Sequence, residues 1–118
     1  MNFKSKQQIY DYVGEFLIKQ GRRSADDMGN CLYRGENDLR CAVGCILPDD
    51  KYKPEMEHGK VHGLVNFLVP WYIRRYLNFL RKFQIFHDTS YNWDENGLKV
   101  DRLIAFGKEN KLDTSKFE

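Results

Sequence analysis

The stretch "WYIRRYLNFLRKFQIFHD", residues 71–88, constrains this chain most. Ile73, Leu77, Leu80, Phe83 and His87 recur every three or four residues, which is the period of a helix with one apolar face. Pro70 precedes it and suits a helix start, having no N–H to satisfy. Arg74, Arg75, Arg81 and Lys82 fall largely off the apolar face. Trp71, Phe79 and Phe86 exceed what one face needs. They demand cover from another helix or from a second copy of the chain, so a homodimer is expected.

The remaining elements must supply that cover. Ser5 caps a first helix, and Gln8 completes a capping box with it. Ile9, Val13, Phe16 and Leu17 share one face of this helix, and Gly21 ends it in a left-handed turn. "RRSADDMGN" reads as a loop. "CLYR" and "LRCAV" flank "GEND", a turn-rich connector that predicts a β-hairpin. "VGCIL" suits either a continuation of the second strand or a short helix stopped by Pro48. "PDDKYKPEMEHG" is a loop or a single helical turn. Leu64, Phe67 and Leu68 predict a short buried helix. Val100, Leu103, Ile104 and Gly107, spaced i, i+3, i+4, i+7, predict a last one. Residues 1–4 and 112–118 are expected to fray. The fold class expected is α+β, mainly helical: four to five helices and one small β-hairpin in a single compact domain over residues 1–118.

Charge narrows the partners. Nineteen basic residues face 17 acidic ones, a net charge of +2, so bulk electrostatics favours neither nucleic acid nor a membrane surface. No run of eighteen apolar residues occurs, and no membrane span is expected. The first ten residues lack the apolar core of a secretory signal, which predicts a cytoplasmic protein. The three cysteines are then expected as free thiols.

Four constellations bear on chemistry. Cys41, Cys45, His58 and His62 have the loose ligand spacing of a finger-type zinc site. Against it, Pro54 and Gly59 interrupt the helix such a site needs, and the favoured reading is two small buried thiols with His58 and His62 exposed. A cysteine hydrolase or transferase would pair Cys31, Cys41 or Cys45 with His87 and Asp88. No spacing forces them together, and buried cysteine is a small hydrophobe by default. Asp49, Asp50, Glu55 and Glu57 read as a solvated loop rather than a cation site. Arg22, Arg23 and the helical arginines, with Tyr33 and Arg34 at the turn, allow a nucleic-acid or nucleotide site, but the basic residues are scattered.

From the first helix to Trp93 the chain resembles a set of small phage and prophage proteins. Their pattern is C-x-Y-R-G, then K/R-C-A-V-G-C/A, then P-D, Y and M-E, with a later H-D and Trp. Here it falls on Cys31, Tyr33, Arg34 and Gly35; on Cys41 to Gly44; on Pro48, Asp49, Tyr52, Met56 and Glu57; and on His87, Asp88 and Trp93. The resemblance implies a viral or prophage origin, hence the host cytoplasm, and carries no activity with it. The function expected is that of an accessory protein without cofactor that binds a host protein or a small ligand. Tyr33, Arg34, Asp49 and Tyr52 are the candidate surface, since Tyr and Arg are frequent interface anchors. His87 and Asp88 are further candidates. The alternative is that Tyr33 fills the core and Arg34 pairs across the turn with Glu36 or Asp38.

Overall fold

The computed structural model describes all 118 residues. The first helix, α1 (Lys6–Gln20), starts where Ser5 Oγ accepts from the Gln8 N–H at 3.1 Å. Gln8 answers one residue earlier than in a capping box: its Oε1 accepts from the Lys4 N–H at 2.8 Å. Gly21 ends the helix at φ 80°, a conformation that costs glycine nothing. Ile9, Tyr10, Val13, Gly14 and Leu17 form its buried face.

The long aromatic stretch is two helices, not one rod. α2 (Trp71–Arg75) and α3 (Leu77–Asp88) meet at Tyr76, which leaves helical geometry at φ −105°, ψ 27°. The Tyr76 hydroxyl donates to the Lys4 carbonyl at 2.9 Å, tying the break to the amino-terminal segment. α3 lays Leu80 and Phe83 wholly inside. α4 (Val100–Glu109) supplies the cover that Phe79 and Phe86 require. The Phe106 ring lies 4.7 Å from Phe83, 5.0 Å from Phe86 and 5.9 Å from Phe79. Phe79 and Phe86 are therefore buried within one chain, which removes the argument that a second copy must cover them; Trp71 alone of the three remains exposed. Tyr10 closes the cluster from α1, with its hydroxyl donating to the Leu103 carbonyl at 2.8 Å.

The α+β, mainly helical class holds, but the hairpin lies elsewhere than expected. Its strands are β1 (Trp93–Asp94) and β2 (Gly97–Leu98), antiparallel, with Trp93 opposite Leu98 and Asp94 opposite Gly97. Gly97 at φ 111° makes the turn possible. Around "GEND" the chain instead closes a tight loop. The Gly35 N–H donates to the Leu39 carbonyl at 2.8 Å, and Glu36–Asp38 turn through left-handed backbone at Asn37 and Asp38, φ 55° and 64°. The would-be first strand takes other partners. Cys31 bridges to Ala25, and the N–H groups of Tyr33 and Arg34 donate to the Glu57 carboxylate at 2.9 and 3.1 Å. A side chain thus satisfies the backbone that a second strand would have satisfied. "VGCIL" resolves as a 3₁₀ turn, Gly44–Ile46, seated so closely on Tyr33 that any Cβ at position 44 would strike the Tyr33 carbonyl. The segment expected as a short buried helix is also a 3₁₀ turn, Val61–Asn66, burying Val61 and Leu64.

Both termini carry an aromatic residue packed on the body of the domain. Phe3 is buried between Tyr12 and Tyr72, with ring centroids 5.2 and 5.1 Å away. At the other end Phe117 packs edge-on to Tyr10 and fills the space over Gly14. Asp113 and Gln7 exchange two hydrogen bonds, at 2.8 and 2.7 Å. A short polar tail is held because it carries one aromatic anchor. No helix is long and apolar enough to cross a membrane.

Candidate functional site

The last turn of α3 presents Gln84, His87 and Asp88 at i, i+3 and i+4, positions that share one helix face. Facing them is Cys31, carried in by the segment after α1. Ser24 organises that segment: its Oγ donates to the Leu32 carbonyl at 2.7 Å, and its carbonyl accepts from the Leu32 N–H at 3.2 Å. Arg23 Nη1 donates to the Asp88 carbonyl at 2.7 Å, clamping the segment to the end of α3. A guanidinium also suits a helix C-terminus, where the carbonyls are unpaired.

These contacts build one polar network. Gln84 Oε1 accepts from the Val43 N–H at 3.1 Å, so its amide nitrogen points inward. That nitrogen lies 2.8 Å from Cys31 Sγ, 2.9 Å from Asp88 Oδ1 and 3.4 Å from His87 Nδ1. His87 is fully buried. The Ser24 N–H donates to its Nε2 at 3.3 Å, which leaves the proton on Nδ1, directed at Asp88 Oδ1 2.8 Å away. Trp93 packs edge-on against the imidazole at 5.6 Å and donates its indole N–H to the His87 carbonyl.

Electrostatics sets the resting protonation states. Burial lowers the His87 pKa below its usual value, and the Asp88 carboxylate opposes that only in part. The neutral imidazole is therefore the folded form. The Cys31 thiol is pushed well above its ordinary range, first by its hydrogen bond with the Cys41 thiol, then by burial and the Asp88 charge. Asp88, Arg23 and Cys31 are the ionisable groups against His87.

The depressed His87 pKa gives a stability prediction with a definite sign. Above the unfolded value of about 6.5 neither state protonates the ring. As pH falls below 6.5 the unfolded chain takes up a proton that the folded one refuses, so stability drops, by at most about 1.4 kcal/mol per pH unit for one proton. Urea unfolding midpoints measured from pH 7.5 to 5 should show this fall. The His87→Gln variant should show a shallower one, and equal slopes would remove His87 as the cause.

A cleft of about 300 Å³ opens in front of the network. Cys31, Gln84 and Asp88 form its polar floor, while Tyr33, Val61 and Ile85 give apolar wall. Lys60, Arg81 and the exposed His58 stand at its edge. Neither Lys60 nor Arg81 forms an ion pair or a side-chain hydrogen bond, whereas Arg23, Arg34, Arg40 and Arg102 are all engaged.

The other sequence candidates are placed differently. Tyr33 is a core residue whose hydroxyl pKa is raised chiefly by burial. Arg34 turns inward to carbonyl oxygens. It pairs with Asp49 at 2.9 Å rather than with Glu36 or Asp38, and lies over the Tyr52 ring at 4.9 Å. Tyr52 donates to Glu57 at 2.8 Å; burial and that bond raise its pKa to about 12. Tyr33, Arg34 and Tyr52 thus meet at Glu57 as a structural lock, and Asp49 joins it through Arg34.

The finger-type set does not assemble. Cys41 and Cys45 are buried, with Cys45 Sγ donating to the Ala42 carbonyl. His58 is exposed at φ 64°, and His62 is exposed 3.3 Å from Asn78 Oδ1. The one gathering of three metal-capable side chains is Cys31, His87 and Asp88, with donor atoms within 4.8 Å of one another. Of the three cysteines weighed as partners for His87 and Asp88, it is Cys31 that reaches them. Gln84 and Lys60 escaped the sequence reading as site residues, and Arg81 entered it only as one of the scattered helical arginines. The i, i+3, i+4 spacing of Gln84, His87 and Asp88 was the available signal for the first. No protein-family model, curated protein or solved structure matches this chain.

Proposed function

We propose that the protein is a phage-type accessory protein that works by capturing a small anionic molecule in the cleft over Cys31, and that it catalyses no reaction there. The observation that carries this reading is the pair of unpartnered cations, Lys60 and Arg81, at the edge of a cleft with an apolar wall. A carboxylate or phosphate would meet them, while the body of the ligand lies on Val61 and Ile85. The raised Cys31 pKa weighs against a hydrolase or transferase, because the thiolate is the nucleophile and burial disfavours it. Docking of a host protein through Tyr33 and Arg34 draws little support from groups turned inward. The phage-type assignment rests on the sequence pattern around Cys31 and Cys41.

Thermal unfolding of the full chain against a panel of small carboxylates and phosphates at millimolar concentration tests the proposal. A ligand at about a hundred times its Kd adds about 2.7 kcal/mol to the folded state. In a domain this size that raises Tm by roughly 10 °C. The Lys60→Ala/Arg81→Ala double variant should melt within about 1 °C of the native chain, both being exposed, and lose the shift. A panel in which nothing moves Tm, or a double variant that responds like the native chain, overturns the reading.

A further inference from the structure

We propose that Cys31, His87 and Asp88 form a binding site for a thiophilic divalent cation of the zinc type, with its remaining coordination position open to the cleft. The three side chains offer sulfur, nitrogen and oxygen, the donor set that such an ion accepts. Their donor atoms lie within 4.8 Å of one another. Around a tetrahedral ion with bonds of about 2.0–2.3 Å, ligand atoms sit roughly 3.5 Å apart, so binding must draw the sulfur in and open the 2.8 Å gap between His87 Nδ1 and Asp88 Oδ1.

A second observation points the same way. The place among the three donors is held by the Gln84 amide nitrogen, at 2.8 Å from sulfur, 2.9 Å from the carboxylate oxygen and 3.4 Å from the imidazole nitrogen. Its two positively polarised hydrogens meet the sulfur and the carboxylate oxygen, and the imidazole Nδ1 stands third with its proton turned to Asp88. The amide thus occupies the place between sulfur and carboxylate that a cation would take. The amide is held from behind by the Val43 N–H, so it can rotate aside only by giving up that bond.

The charges balance. The thiol loses its proton on binding, and thiolate plus carboxylate carry two negative charges against the two of the ion. The imidazole binds through Nδ1, and its proton moves to Nε2. The 3.3 Å contact with the Ser24 N–H, the second longest bond in the network, is lost in exchange. One proton is released per ion. Cys31, Gln84 and Asp88 line the cleft, so the open position faces it, where water or an anion would complete the shell. Cys41 and Cys45 take no part, which separates this site from the finger-type spacing of the sequence.

Cobalt(II) is the probe, added to full-length protein purified in chelator. The expected result is thiolate-to-cobalt charge-transfer absorption in the near ultraviolet and tetrahedral visible bands, saturating at one equivalent, with one proton released and zinc displacing the colour. Cys31→Ser should abolish the charge-transfer band, and Asp88→Asn should weaken binding by about tenfold or more. Both sites are only partly buried, and far-ultraviolet dichroism checks that each variant is folded. Cys45→Ser should leave the spectrum unchanged. Absence of the charge-transfer band, its persistence in Cys31→Ser, or its loss in Cys45→Ser would overturn the inference. The readout does not involve the anion panel. Cobalt binding without any anion-induced shift would sink the proposed function and uphold the site, and the reverse pattern would do the opposite.

Discussion

Replacing Arg34 by alanine should lower the unfolding free energy by about 3–5 kcal/mol, and lysine should restore only a minor part of it. The guanidinium is nearly enclosed, its side chain 12% exposed. It donates to the carbonyls of Tyr33, Gly44 and Leu47 at 3.2, 2.8 and 2.6 Å, and to Asp49 at 2.9 Å. Gly44, in the 3₁₀ turn Gly44–Ile46, keeps a second partner in the Leu47 N–H at 3.3 Å, but the Tyr33 and Leu47 carbonyls have no backbone N–H to answer them. Alanine would strand them in a site that water reaches poorly, and each unsatisfied buried acceptor costs about 1–3 kcal/mol. Lysine brings one compact charge and cannot reach carbonyls on both sides of the turn. The Asp49 bridge adds little, since that carboxylate is 84% exposed. Urea titrations at constant m-value measure the loss. A change below about 1 kcal/mol would show that Arg34 is a surface group after all.

Phe83→Ala should destabilise the chain by a similar amount, about 3–5 kcal/mol, through the cavity it leaves. Phe83 is wholly buried and touches four other aromatic rings: Tyr10, Phe79, Phe86 and Phe106. Those rings come from α1, α3 and α4, so no single element can move in to fill the gap. Calorimetry should show Tm lower by roughly 12–20 °C. Phe83→Leu, which keeps most of the volume, should cost under about 1.5 kcal/mol. Ile85→Ala, on the same helix but 54% exposed, is the control. A loss at Phe83 no larger than at Ile85 would mean that the aromatic cluster is not what joins the helices.

Helices were the legible part of the chain, because their signals are local. Ser5, Gly21 and the apolar spacing of Ile9, Val13 and Leu17 bound α1 to within a residue. The spacing of Leu80, Phe83 and His87 identified the buried face of α3, and that of Val100, Leu103 and Gly107 the span of α4. The hairpin was misplaced because "GEND" and "DENG" have the same turn composition. What distinguishes them is the partner: Glu57 takes the backbone N–H groups of Tyr33 and Arg34, and nothing near residues 33–40 announces that. The packing of the tail was not legible because a single Phe117 in a polar run gives no periodic signal, although Gly14 leaves room for it.

The candidate site was half legible. His87 and Asp88 stood out as chemistry-bearing groups at a helix end, but which cysteine they would meet depended on Ser24, Arg23 and the bridge at Ala25. The sequence by itself determined the helices, their inward faces and the absence of a strong charge, since these follow from periodicity and composition. Only the tertiary structure decided that Cys31 rather than Cys41 or Cys45 faces His87, that Gln84 sits between them, and that Tyr33 and Arg34 look inward. Side-chain contacts across fifty residues of chain are fixed by how the helices pack, and packing is a property of all the surfaces at once.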